Sequence, residues 1–185
     1  MKILFLFLAV AAQGATLRYW IEPCTGPESV CHGGDIELAQ WAMEAWQAAS
    51  GGKLTLEKAP TRDKAQIRVN WAGGREGLYG EARPITVEGV RGAEVYVVTP
   101  AERLPDELLR DTIVYLTCVH ETGHALGLPH TAAFADIMYS FQYGGDIGEY
   151  FGRYRRKLEG RSDIHKNSGI SDEDRRRIAE ISGRR

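Results

Sequence analysis

The stretch His120-Glu121-Thr122-Gly123-His124-Ala125-Leu126-Gly127-Leu128-Pro129-His130 decides how the rest of this 185-residue chain is read. It has the form H-E-x-x-H-x-x-G-x-x-H, a spacing with a mechanical reason. On an α-helix, four residues turn the chain slightly more than once, so His120 and His124 project from one face about a turn apart and can share a metal ion. Glu121, one step round, can reach a water on that metal without ligating it. Gly127 can take positive φ at little cost, which lets the backbone leave the helix and bring His130 in as a third ligand. Three protein ligands leave a fourth tetrahedral position open, as in catalytic rather than structural zinc sites. The pattern contains three of the five histidines, so a surface helix that happens to carry two of them is a poor alternative.

The motif resembles that of the metzincin zinc peptidases, and the likeness extends downstream. Metzincins close the floor of the site with a methionine-containing turn, and Asp136-Ile137-Met138-Tyr139 places Met138 eight residues past His130. Within that clan the chain is most similar to a matrixin catalytic domain. The resemblance implies an α+β, zincin-like fold: a twisted mixed β-sheet, two long helices, an active-site cleft, the methionine turn and a C-terminal helix. It also implies a zinc-dependent endopeptidase with His120, His124 and His130 as metal ligands and Glu121 as general base.

Upstream, Met1-Lys2 precedes the apolar run Ile3–Ala12, and cleavage after Gly14 would place the small residues Ala12 and Gly14 where a signal peptidase needs them. This is the order of a secretory signal peptide over residues 1–14, too short to span a membrane as a helix. Residues 15–185 then form one catalytic domain, secreted or periplasmic, with no stable membrane association and monomeric. A formal net charge of −2 and the lack of basic-aromatic interleaving argue against nucleic-acid binding. Protein or peptide substrates remain as the partners.

In an oxidising compartment Cys24 and Cys31 most simply pair with each other. The rival is latency: matrixins are held inactive by a propeptide cysteine over the zinc, and Cys24 could imitate it, although the full propeptide motif is absent. Cys118, two residues before His120, falls on the side of the helix away from the metal face and reads as a buried free thiol.

Leu17–Ile21 alternates as a first strand. Asp35 is placed to cap a helix over about 36–50, with Ile36, Ala39, Met43 and Trp46 inward and Gly51-Gly52 as its stop. Strands follow at 53–57, 65–71 and 93–98, and Gly73–Gly77 makes a bend before residues 78–84. By resemblance, 78–84 is the edge strand that pairs with an extended substrate; an ordinary strand is the plainer reading. Pro105-Asp106 starts the helix that carries the metal motif, with Leu109, Ile113 and Leu116 leading toward His120.

Matrixins usually hold a second, structural zinc through histidines ahead of the edge strand. The histidines outside the motif here are His32 and His165, so one zinc ion is expected. Calcium (Ca2+) stays open, because backbone carbonyls can ligate it. After Met138-Tyr139 the family's pocket wall begins with proline, whereas Ser140-Phe141-Gln142-Tyr143 follows here. Residues 144–168, with Tyr150, Phe151, Tyr154 and the basic group at 153–157, read as a solvated surface helix. The alternative is a rim to the cleft that favours acidic or extended substrates. Ser171–Asp174 starts a last helix with Ile178 and Ile181 inward, and by resemblance Asp174 holds the methionine turn.

Two other classes compete with the peptidase. One is a zinc-binding module that recognises peptides or proteins without turnover. The other is an inhibitor-like module working through residues 150–157. An intact Glu121 argues against the first, since a site without turnover has no use for a base there.

Overall fold

The computed structural model describes residues 14–25, 29–73, 79–100 and 104–184. The expected signal segment lies, Gly14 apart, outside these residues, and so do positions 74–78 of the bend and strand that follow Gly73.

Five strands form one sheet: β1 (Ala15–Ile21), β2 (Leu54–Lys58), β3 (Ile67–Ala72), β4 (Gly80–Val87) and β5 (Val90–Val98). Their order is β2-β1-β3-β5-β4, parallel throughout except for β4, which runs antiparallel to β5 at the edge. The sheet is thus mixed, as expected. Strand β4 extends to Val87 and turns directly into β5 through Glu88 and Gly89, at φ 51° and 79°. Two consecutive positive φ angles are those of a tight hairpin turn, and Glu-Gly is a weaker sequence cue for it than Asn-Gly. Strand β3 starts two residues later than its alternation suggests, after a 3₁₀ turn at Arg62–Lys64.

Helix α1 (Gly33–Ala49) buries Leu38, Ala39, Ala42, Met43 and Trp46, one stripe at three- and four-residue steps. Ile36 is only half-buried and packs at the margin of the core. The helix begins earlier than expected, and Asp35 is not its cap. His32 occupies the cap position, and its N–H donates to Asp35 Oδ2 at 2.8 Å. The Asp35 carboxylate is fully buried and receives both terminal nitrogens of the Arg110 guanidinium, with Nη2 2.6 Å from Oδ2. A buried carboxylate requires such a partner, because its desolvation otherwise costs several kcal/mol. Its partner is 75 residues distant in the chain, which is why the local pattern reads as capping alone. Gly51 and Gly52, both at positive φ, stop the helix as expected.

Helix α2 (Glu107–Ala125) is capped by Asp106, whose Oδ1 accepts from Leu109 N at 3.0 Å. It packs against α1, β4, β5 and α3 (Ile147–Arg155). Trp46 Nε1 donates to Val119 O at 2.8 Å, fixing α1 against α2 one residue before His120. Two further helices, α4 (Ser162–Lys166) and α5 (Asp172–Ser182), complete the fold. Cys24 and Cys31 form a disulfide, which leaves Cys24 no thiolate to place over a metal. Cys118 is free and fully buried, and burial pushes its thiol well above the ordinary range.

Helix α3 departs most from expectation. Tyr150, Phe151 and Tyr154 are buried rather than solvated. Its arginines do not face the cleft: Arg153 stacks on Phe134 and Tyr150, Arg155 pairs with Asp106 and Arg156 with Glu149. No arginine or lysine lines the cleft among the described residues, so the idea of a basic rim favouring acidic substrates is withdrawn.

Candidate metal centre

The last turns of α2 carry His120 and His124 on one face. The chain leaves the helix by bonds from Leu126 N to Thr122 O and Leu128 N to Gly123 O, with Gly127 at φ 93°. That reversal carries His130 back to the other two. His130 Nε2 lies 3.2 Å from His120 Nε2 and 3.0 Å from His124 Nε2.

The outer nitrogens settle the tautomers. His120 Nδ1 is 2.6 Å from Ile137 O and His124 Nδ1 is 2.8 Å from Leu128 O. A carbonyl only accepts, so both Nδ1 atoms carry the proton and both Nε2 atoms of the neutral rings present lone pairs. Burial, with a contribution from neighbouring imidazoles, holds His120 down to about 4, and burial also lowers His124 and His130. The rings are therefore neutral at neutral pH. Converging lone pairs repel one another unless a cation sits among them. Three nitrogens at about 2.0–2.1 Å from a tetrahedral zinc are about 3.3 Å apart, close to the spacing seen here. The donor set fits zinc, and each backbone acceptor fixes a ring's orientation as such sites require.

Glu121 is 7 % exposed and faces the same cleft. Burial, reinforced by the charge of Glu81, pushes its carboxyl up to about 8. A cation held by the adjacent imidazoles acts in the opposite direction. Gly80, at the start of edge strand β4, lies directly against this carboxylate. A Cβ there would be 2.7 Å from Glu121 Cγ, 2.8 Å from its Oε1 and 2.8 Å from Thr117 Cγ2. Only a residue without a side chain lets the strand approach so closely. Nothing in the sequence singled Gly80 out, since glycine beside a bend has a simpler explanation.

Beneath the imidazoles, Met138 is fully buried. A Cβ on Gly123 would come within 2.3 Å of its sulfur, so the methionine turn touches α2 between the two helical histidines. Asp174 reaches across from α5 to accept from Ile137 N at 2.7 Å, the role expected of it. Ile137 O in turn receives His120 Nδ1 and, at 3.2 Å, the Tyr150 hydroxyl. Asp174 thereby anchors Ile137, the residue whose carbonyl orients His120. We expect Asp174→Ala to leave the buried Ile137 N–H without an acceptor at a cost of about 1–3 kcal/mol. That is a fall of roughly 5 °C in Tm for a domain of this size, read by thermal unfolding. Asp174→Asn, which keeps an acceptor, should lose less.

The cleft above this floor has a volume of about 420 Å³. It is lined by Tyr79–Ala82 of the edge segment and by Tyr139, Phe141, Tyr150 and Phe151. A sheet edge offers backbone groups to an extended chain, and a histidine triad beside a buried carboxylate suits attack by an activated water on that chain. Fold and floor together thus define the metzincin class of zinc peptidases. Within it the chain belongs to the matrixin family, whose model matches residues 15–147, and it is accordingly a zinc metalloendopeptidase acting on proteins or peptides. Among curated proteins none matches it.

Proposed function

We propose that this chain is an exported endopeptidase that holds one catalytic zinc through His120, His124 and His130 and uses Glu121 as general base. The observation that carries the reading is the meeting of three Nε2 atoms, two of them in tautomers fixed by backbone carbonyls, beside one buried carboxylate in an open cleft. Export rests on the signal-like order of residues 1–14.

When bound, zinc acts as a Lewis acid and makes water a nucleophile near neutral pH. Glu121 takes the proton of the attacking water and passes it to the leaving amide nitrogen. Its apolar surroundings suit a group that must hold a proton between those two transfers. Backbone groups of β4 hold the substrate extended across the floor, and the bond that His120 Nδ1 donates to Ile137 O keeps the His120 ring from turning.

Incubation with a denatured protein such as casein, with and without a zinc chelator, tests this. Cleavage that stops on chelation and returns with added zinc is expected; binding without cleavage would favour a recognition module instead. Gly80→Ala supplies a sharper prediction. Its methyl group would displace the Glu121 carboxylate, and a misplacement of about 1 Å can cost on the order of 100-fold in rate. We expect kcat to fall by about that much while zinc content stays the same, measured by steady-state kinetics and metal analysis.

A further inference from the structure

The pairs described above account for the arginines of the basic group at 153–157 but not for Lys157, which is exposed and has no ion-pair partner among the described residues. Lys157 lines a second pocket, bounded by α1, the end of α3, α4 and the start of α5. Its volume is about 650 Å³ against about 420 Å³ for the cleft, and no residue lines both. The lining is charged against the sign of the chain. It contains Lys157, Lys166 and Arg175 with Glu44 as its one carboxylate, whereas the whole sequence has a formal charge of −2. Glu44 is engaged, since its Oε2 lies 2.8 Å from His165 Nε2, and Lys166 pairs with Asp163 at 3.0 Å. Arg175 donates from Nη2 to Ser168 Oγ at 2.9 Å, a bond that positions the guanidinium without neutralising it. Lys157 and Arg175 therefore bring uncompensated positive charge to one concave site, and such a site gathers ligands of the opposite sign.

We propose that this pocket is an exosite for an acidic stretch of the polypeptide substrate, with Lys157 and Arg175 binding its carboxylates. Size favours a peptide segment over a small anion, because a volume within the about 300–1,000 Å³ of ligand pockets far exceeds a single carboxylate or phosphate. Position favours the substrate as its source. A smaller chamber of about 160 Å³ shares Tyr154 and Lys157 with this pocket and Leu116 and Tyr150 with the cleft, so the pocket lies close behind the cleft. A chain that leaves the cleft and passes round α3 can occupy both. Holding it at the second place raises the local concentration of the cut sequence at the first. That gain is the same before and during the reaction, so it lowers KM and leaves kcat unchanged. The pocket lies in the part of the chain beyond residue 147, where the family match ends, apart from Trp41, Glu44, Ala45, Ala48 and Ala135.

That the occupant is substrate rests on the endopeptidase reading, and two measurements separate their failures. In the first, peptides share one cut sequence and a Gly/Ser tether of about 20 residues, which reaches on the order of 25 Å. The tether ends in a run of glutamates or of serines and is placed on either side of the cut. The zinc-loaded full chain should cut the glutamate-tailed peptide with a KM about ten-fold lower on one side of the cut, with kcat unchanged. Lys157→Glu and Arg175→Ala should each remove most of that advantage and leave cleavage of the serine-tailed peptide as it was. Lys157 is exposed, so its variant keeps the fold, and Arg175, half-buried, is checked for a melting transition. Arg91→Glu, the same charge change at an exposed site of β5 outside the lining, should keep the advantage. In the second, a labelled glutamate peptide is titrated with the same proteins and read by fluorescence anisotropy; both pocket variants should bind it about ten-fold more weakly than the parent. A parent that does not bind it, pocket variants that bind it equally well, or binding with no gain in KM on either side of the cut overturns the exosite. Absence of cleavage of the serine-tailed peptide overturns the peptidase reading and with it the substrate role, while anisotropy still decides whether the pocket takes an acidic peptide.

Discussion

Glu121→Gln is expected to lower kcat/KM by about 100- to 10,000-fold, the range that a positioned general base contributes. The substitution keeps the side chain's shape and leaves the three imidazoles and their backbone acceptors at Ile137 and Leu128 unchanged. Zinc content should therefore equal that of the parent. The two measurements must be made on the same preparation. A variant that lost zinc along with activity would place Glu121 among the ligands or supports of the metal, whereas one that cut normally would remove it from the chemistry.

The second large effect is on stability. A metal that binds the folded chain alone contributes about 4 kcal/mol at a thousand times its dissociation constant. At roughly 2–4 °C per kcal/mol, chelation should lower Tm by about 10 °C. The metal-free chain should also show a distinctive pH profile. His120 is held down to about 4 by burial, so below its ordinary value near 6.5 the unfolded chain binds more protons than the folded one. His124 and His130, lowered in the same direction, add to this. Their contribution is whole above pH 6.5 and is lost as pH falls below it, for His120 by about pH 4. Glu121 has the opposite sign: raised to about 8, it leaves the folded chain holding more protons between its ordinary value and 8, so its contribution is lost as pH rises through that range. The metal-free Tm should peak near pH 6.5 and fall on the alkaline side. Zinc opposes protonation at all four groups, so the loaded chain should keep its stability through pH 8. Thermal scans of both forms across pH 4–9 check this; a flat metal-free profile would contradict the burial of these groups.

How much of this was legible in the sequence depends on how locally each feature is encoded. The three histidines and Glu121 lie within eleven residues, so helix geometry and one glycine are enough to bring them together. Asp174 is 37 residues from its partner Ile137, and its role was legible only through family resemblance. The Asp35–Arg110 pair was not legible: Asp35 also receives the His32 N–H, so the helix-start reading captured a real bond and missed the buried partner. Helix α3 shows the same limit in another form. Tyr150, Phe151 and Tyr154 share a face at helical spacing, which signals burial, but periodicity does not say what that face is buried against. The adjacent arginines drew the reading toward a solvated surface, although Arg153 covers two aromatic rings and the next two are paired. Gly80 was hidden for a related reason: its role comes from the approach of β4 to α2, a contact with no local signature.

The most direct test of the central claim is X-ray absorption at the zinc edge on purified, zinc-loaded protein, with the metal content measured alongside. The account predicts one zinc per chain with three imidazole nitrogens at about 2.0–2.1 Å and no sulfur. Protein that cannot load zinc, or a spectrum showing fewer imidazoles or a thiolate ligand, would contradict it.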